Sequence, residues 1–379
     1  MRRFLLTLAS ALAPALPLVA HATDGKYPGI GMDYGVVAQF DFSKLAHDPD
    51  TITSDGYFDI QSVAHFRITP EDEIWLATEA SPVVDIAPGQ RRWLGGTGLQ
   101  VDNLNWYHQG YDFNFRVGKL DVPFGRAQNA APGLYTSDFV GPYALGGMIG
   151  ANYEYRFYSD SLGIIAPNLS SYFVDTSILS RAYFQPDQQT RRSDGGAANT
   201  GKPNSGALVV NWLAPAQIPF LELQAGYMFN HKGENVAVDP PSPPQTPADE
   251  TLRTFSARYM IPVASTTELG PTLAGHYLDL VPFVEYVDVT NENGIAGNDT
   301  HYLTTSLTLD YGRFTYGLTH TNKSQNAVFG GDSNDYLSEL SVVYHLTGVI
   351  DLTLSGGRTR QGGDTSNLIG FAIGYSGAF

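Results

Sequence analysis

The chain has no cysteine. That removes disulfides, thiolate nucleophiles and thiolate metal sites together. It is also short of positive charge: 22 Lys and Arg stand against 38 Asp and Glu, a formal net charge of −16. A nucleic-acid partner calls for a basic face, so none is expected. After residue 22 there is no run of about 18 apolar residues, which excludes a membrane-spanning helix. No repeat of helical or propeller length stands out. There is no nucleophile elbow, no phosphate-cradling glycine motif and no calcium-loop pattern. The histidines that follow residue 22 never fall at helical metal-ligand spacing. Residues 291–294 and 330–335 hold carboxylates and carbonyls that could hold a divalent cation, but Asn, Asp and Gly in such runs are first of all turn formers. No catalytic residue, metal or cofactor is expected, and the chain is not read as an enzyme.

What the chain does have is aromatic residues and glycine: 22 Tyr, 20 Phe and 40 Gly. Its mean hydropathy of −0.15 is that of a soluble protein. A transmembrane β-barrel reconciles these numbers, because only alternate residues face lipid. The stretch from 111 to 157 shows the pattern. Tyr111, Phe113, Phe115 and Val117 share one strand face, and Asp112, Asn114 and Arg116 share the other. Ile149, Ala151, Tyr153, Tyr155 and Phe157 likewise oppose Asn152, Glu154 and Arg156. Between the two strands lie residues 123–146, rich in Gly, Pro, Ala and aromatics. Arg126 and Asp138 are the only charges in that stretch. A loop of this length in a compact protein is commonly functional or disordered, and one this apolar is expected to fold into something.

Residues 1–22 open with Arg2 and Arg3, run apolar and end in the small-x-small site Ala20-His21-Ala22. They read as a cleavable secretory signal peptide, and residues 23–379 as a single domain. Alternating segments along that domain give about sixteen strands, with a slip at Asp102-Asn103 that suggests a bulge. Longer connections are expected at 43–55, 81–98, 123–146, 180–205, 231–250, 290–298, 322–334 and 356–366. Short turns fall between them. In membrane barrels long loops face outside and short turns face the periplasm; an even count returns both termini to the periplasmic side. A sheet with one greasy and one polar face must close in lipid, since an open edge leaves backbone groups unsatisfied. The fold class expected is therefore all-β: an antiparallel up-and-down barrel with the third long loop folded into the lumen. A soluble sandwich would instead bury the apolar faces in a two-layer core.

The polar strand face carries Asp59, His65, Arg67, Glu79, Arg116, Asn152, Glu154, Arg156, Arg258, Glu285 and Glu339. Facing charges of both signs across water tune ion passage, although interior charges also simply pair along a wall. The candidate pore-lining set is Arg67, Glu79, Arg116, Arg126, Asp138, Glu154, Arg156 and Arg258. Arg126 and Asp138 are expected near a constriction with Arg116 and Glu154.

The alternating strands, the long third loop, the signal peptide and the terminal Phe379 together resemble the Gram-negative outer-membrane porins. Residues 116–126, with Gly118-Lys119 and Pro123-Phe124-Gly125, are similar to the strand-to-loop junction of substrate-preferring porins, phosphate-selective ones included. The resemblance implies passive diffusion of small hydrophilic solutes or ions, commonly through a homotrimer embedded in outer-membrane lipid and lipopolysaccharide. The loop departs from the phosphate-selective pattern in lacking a lysine cluster, so anion selectivity is not carried over. A narrow or plugged barrel acting as an adhesin, a structural protein or a siderophore-type uptake protein is the alternative.

Overall fold

The computed structural model describes residues 27–48, 51–84, 86–185, 189–235, 246–264, 278–327 and 331–379. They form a closed antiparallel barrel of sixteen strands. In chain order these are β1 (Gly29–Leu45), β2 (Ile52–Arg67), β3 (Asp72–Pro82), β4 (Thr97–Gln109), β5 (Phe113–Val122) and β6 (Leu145–Tyr155, continued by Phe157–Ser159). β7 (Gly163–Val174), β8 (Ser205–Leu213), β9 (Leu221–Asn230), β10 (Glu250–Tyr259, continued by Ile261–Ala264) and β11 (Leu278–Thr290) follow. The last five are β12 (Asp299–Tyr311), β13 (Phe314–Asn326), β14 (Ser333–His345), β15 (Ile350–Gln361) and β16 (Asp364–Ala378). Each pairs with its sequence neighbours, and β1 pairs with β16 from Asp33↔Ala378 to Leu45↔Ser366, which closes the cylinder. Closure leaves no free edge.

Exposure along the strands is inverted relative to a water-soluble protein. Phe58 and Ile60 are exposed, while Asp59 between them is 2 % exposed. Leu340 is 59 % exposed and its neighbour Glu339 only 1 %. Leu318 with Thr319, and Leu354 with Ser355, repeat the pattern. An apolar outer band and a polar interior suit a hydrocarbon solvent, and a monomer in water does not tolerate apolar surface of this extent. There is no two-layer core, so the soluble sandwich is not what these residues build. Among the described residues no helix is long and apolar enough to cross a membrane.

Local sequence explains several details. Opposite the Ala77/Thr78 step the register skips Asp102, the bulge expected from the slip at 102–103. Gly377, the small residue on the outer face of β16, is covered by Tyr34 of β1. A Cβ there would lie 2.6 Å from the Tyr34 hydroxyl, and Tyr34 also packs on Tyr375 and Phe379. Phe379 itself is tied to Met32 by paired backbone bonds of 2.9 and 3.0 Å.

Three expected loops are shorter than their sequences suggest: in the first, 43–55, β1 runs on to Leu45 and β2 begins at Ile52. Strands β13 and β14 occupy most of 322–334, and the last hairpin turns on Gly362 and Gly363 alone, both at positive φ. A two-residue turn with positive φ at both positions matches the twist of the flanking strands, so Arg358 to Gln361 stay paired instead of looping out. In the 81–98 connection, Arg91–Trp93 forms a short strand parallel to Ser54–Gly56 of β2. Arg92 holds Asp55 there, its Nε donating across 2.8 Å. Residues 1–22, the stretch read as a signal peptide, and part of the proline-rich 231–250 loop lie outside the described residues.

Candidate functional site

Proline and glycine shape the β5–β6 connection. Gly125, at φ +70°, turns the chain out of Phe124. A single helical turn, α1 (Ala127–Ala130), ends at Ala131-Pro132-Gly133. A second short helix, α2 (Thr136–Val140), runs into the 3-10 turn Gly141–Tyr143. Pro132 cannot extend the first helix, and Gly133 adopts φ +135°, which a side chain disfavours. Neither helix has a side-chain cap from its own N-cap residue, so the orphan N–H groups at both starts need acceptors from elsewhere.

Two wall carboxylates supply them. Glu285 of β11 accepts from the Arg126 amide, from the Ala127 amide (3.0 Å) and from the Tyr143 hydroxyl (2.6 Å). Glu339 of β14 accepts from the Leu134 amide (2.5 Å), the Tyr135 amide (3.1 Å), the Thr136 hydroxyl (2.9 Å) and the Ser355 hydroxyl. The Thr319 hydroxyl of β13 donates to the Pro132 carbonyl (2.7 Å), and the Tyr135 hydroxyl donates to Asp41 of β1 (3.0 Å). β11, β13, β14 and β1 lie around the cylinder from β5 and β6, so the connection is fastened to strands remote from those it joins. Hydrogen bonds to an ionised acceptor contribute about 1.5–3 kcal/mol each. An apolar cluster backs them: Phe124, Ala127, Val140 and Tyr143 pack with Val209, Met228 and Phe283. At Gly317 the wall leaves space for the connection; a Cβ there would come within 2.5 Å of Pro132.

The eight sequence candidates fall into separate groups. Arg126 and Arg258 share one carboxylate, Glu222 of β9, with Arg258 Nη1 at 3.0 Å. Glu222 and Arg258 also line a cavity of about 280 Å³ with Phe220 and Met260. Asp138, on α2, accepts from Ser137 Oγ at 3.2 Å. Burial pushes its carboxyl well above the usual range, and the nearby Asp41 and Glu339 push the same way. Glu79 is buried on β3, 4 % exposed.

The remaining candidates gather near the rim that carries the chain ends. Arg67 faces Glu73 at 3.8 Å; Arg156 Nε donates to Glu154 at 2.8 Å, and Asn114 donates to the same carboxylate at 3.1 Å. Arg116 lies over the rings of Trp75 and Tyr107, 4.6 and 4.9 Å from their centroids. Arg116 and Glu154 thus sit among rim residues, whereas Arg126 and Asp138 bond within the connection or to other strands.

Glu222 was absent from the candidates read in sequence, and Glu285 and Glu339 were read only as wall charges. The available signal was indirect: two short helices with no caps of their own require acceptors. Among the described residues no group of three His, Asp or Glu is arranged to hold a metal ion. Glu292, in the stretch weighed as a cation site, accepts from Thr300 (2.8 Å), Tyr302 (3.1 Å) and Gln325 (3.0 Å).

These strands define a porin-type barrel, the fold of outer-membrane channels. Among similar solved structures is Pseudomonas putida OprB at high pH, 13 % identical, with 92 % of this chain and 94 % of that chain covered and a TM-score of 0.57. The anion-selective porin from Comamonas acidovorans matches at 12 % identity, 92 % and 100 % coverage and TM-score 0.55. Salmonella typhi OmpF in complex with daunomycin matches at 9 %, 91 % and 97 %, and 0.53. Likeness at these identities is likeness of fold. No protein-family model matches the chain, and no curated protein does.

Proposed function

We propose that this protein is a diffusion channel of a Gram-negative outer membrane, passing small hydrophilic solutes or ions. The observation that carries the reading is the fastening of the β5–β6 connection to Glu285 and Glu339. A segment tied to strands across a closed barrel runs through its interior, so residues 123–146 narrow the lumen. In this reading the rim with the chain ends is periplasmic, residues 1–22 direct export, and the apolar band faces lipid and, at its outer edge, lipopolysaccharide. A homotrimer, as the resemblance to porins implies, and a non-enzymatic role belong to the same proposal. Arg67, Glu79, Arg116, Arg126, Asp138, Glu154, Arg156 and Arg258 are its pore-lining residues.

The apolar packing of Phe124, Val140 and Tyr143 against Val209, Met228 and Phe283 favours a second reading, a barrel closed by its own loop. Single-channel recording in planar bilayers separates the two. Refolded protein is expected to give stable conductance steps, and the reversal potential under a salt gradient reports which sign of interior charge dominates. Folded protein that gives no steps would overturn the channel and leave the closed barrel.

A further inference from the structure

The inner face of β2 and β3 buries two carboxylates that no basic side chain answers. Asp59 is 2 % exposed and Glu79 is 4 % exposed. Phe58 and Ile60, on either side of Asp59, face outward, so this carboxylate is set in the wall itself. Register pairs Gln61 with Glu79, which makes Asp59 and Glu79 diagonal neighbours on one face of the β2–β3 pair. The bases of the surrounding strands are engaged elsewhere: Arg92 by Asp55, Lys119 by Asp175 at 3.0 Å, and His65 by Asp33 at 3.1 Å and Glu73 at 3.6 Å. Among the described residues neither Asp59 nor Glu79 has a Lys, Arg or His within ion-pair reach.

A neutral group points to the same place. Ser81 is 6 % exposed, and its hydroxyl has no hydrogen-bond partner among the described residues; nor has Asp59 Oδ1. Ser81 lies two residues beyond Glu79 on the same inward face, and one step past the Ile60↔Ala80 pair the register sets it against Asp59. Gln61 stands beside both carboxylates. Its amide nitrogen also lacks a partner, so a half-turn that presents the amide oxygen instead breaks no bond of that nitrogen. Buried polar atoms are almost always satisfied, and a buried carboxylate without a partner is costly. A cation resolves both deficits together. Every ligand on offer is an oxygen, which selects a hard ion, and two carboxylates balance a double charge. Calcium accepts oxygens in irregular geometry, whereas magnesium demands a near-ideal octahedron.

We infer that Asp59, Glu79 and Ser81 form a divalent-cation site of calcium's class inside the barrel wall, completed by the Gln61 amide oxygen and by water. No third carboxylate is required, because hydroxyl, amide and water oxygens fill the remaining positions. The ion neutralises the two acids and staples β2 to β3, close to where Arg91–Trp93 joins β2. The inference does not depend on the channel reading, since binding is measured without conduction.

The test uses the folded full-length barrel in detergent, stripped with EDTA and dialysed at neutral pH. Titration calorimetry with calcium, magnesium and potassium chloride reads binding, and the heat-dependent gel mobility of the barrel checks folding. Acidic loops can also take calcium, so variants make the assignment. Asp59→Asn and Glu79→Gln keep size and remove charge; Ser81→Ala removes one oxygen and no charge, and serves where a charge variant does not fold. Wild type is expected to bind calcium saturably, magnesium more weakly and potassium not measurably. Each charge variant is expected to weaken one calcium site by about ten-fold or more, and Ser81→Ala to weaken the same site by less. No saturable calcium binding to the folded wild type overturns the site, as does unchanged calcium binding in the folded variants. Equal affinity for magnesium overturns the assignment to calcium's class.

Discussion

Removing the negative charge at Glu339 is the sharpest test of how the β5–β6 connection is held. In Glu339→Gln the side chain keeps its size, but one of its two acceptor oxygens becomes an NH₂ donor. At the Oε1 position that donor would face the Leu134 and Tyr135 amides, and at Oε2 the Tyr135 amide and the Thr136 hydroxyl, all of which are themselves donating. At about 1.5–3 kcal/mol for each charge-assisted bond, three bonds set an upper bound of about 4.5–9 kcal/mol. Water can re-satisfy part of this in a polar interior, so about 2–4 kcal/mol is the expected loss of docking energy. That is a change of about 30- to 700-fold in the docked-to-undocked ratio. Glu285, Thr319 and Asp41 still hold the segment, so it is expected to loosen around Leu134 without coming away from the wall. The barrel wall is untouched: β14 and its neighbours keep their ladders. Higher single-channel conductance, more open-state noise and a larger exclusion limit in liposome swelling are expected, with thermal stability of the folded barrel little changed. Folded Glu339→Gln protein with wild-type conductance, noise and exclusion limit would refute the docking argument. A large fall in barrel stability without any change in conduction would assign Glu339 to the wall alone.

Two further outcomes follow from the same geometry. Leu340, on the outer face, should tolerate charge poorly: Leu340→Arg is expected to cost up to about 2–4 kcal/mol, according to its depth in the bilayer, read by urea titration of folding into vesicles, and a negligible cost would mean that this face does not meet lipid. Asp138 holds its proton more tightly in the folded barrel than in the unfolded chain. Its contribution therefore favours the barrel at low pH, starts to fade above the ordinary value of 3.8 and is lost as pH rises through the raised one. Cation preference should rise only as pH passes through the raised value, where the carboxylate of the folded barrel ionises, measured by reversal potential against pH, and Asp138→Asn should flatten that rise.

The strands were legible where period-two alternation survives across the apolar band, and even the slip at Asp102 was visible as a break in that period. The loop ends were less so. Asn322 to Asn326 and Arg358 to Gln361 are polar on both faces, and a strand standing above the apolar band has no alternation to show. The apolar, proline-punctuated composition of residues 123–146 announced a folded segment, but not its fastenings. Glu285 and Glu339 lie 158 and 205 residues beyond the amides of Ala127 and Leu134 that they accept from. No local pattern encodes such a pairing. The sharing of Glu222 by Arg126 and Arg258 was hidden for the same reason. Gly133 shows how specific the fit is: a Cβ there would lie 2.2 Å from a Glu339 oxygen, yet in sequence it is one more glycine after a proline.

The distance along the chain between the segment and its anchors also has a meaning in time. Residues 123–146 leave the ribosome, and cross any intervening compartment, well before Glu285 and Glu339 do. They can take their final conformation only when β11 and β14 stand opposite, and the wall itself is complete only when β16 has met β1. Contacts of such long range are slow to form. The order of assembly is therefore wall first or wall and segment together, never segment first. A chain stopped before β14 would carry an apolar segment that lacks the Glu339 anchor, and would offer it to whatever chaperone or neighbouring chain it met.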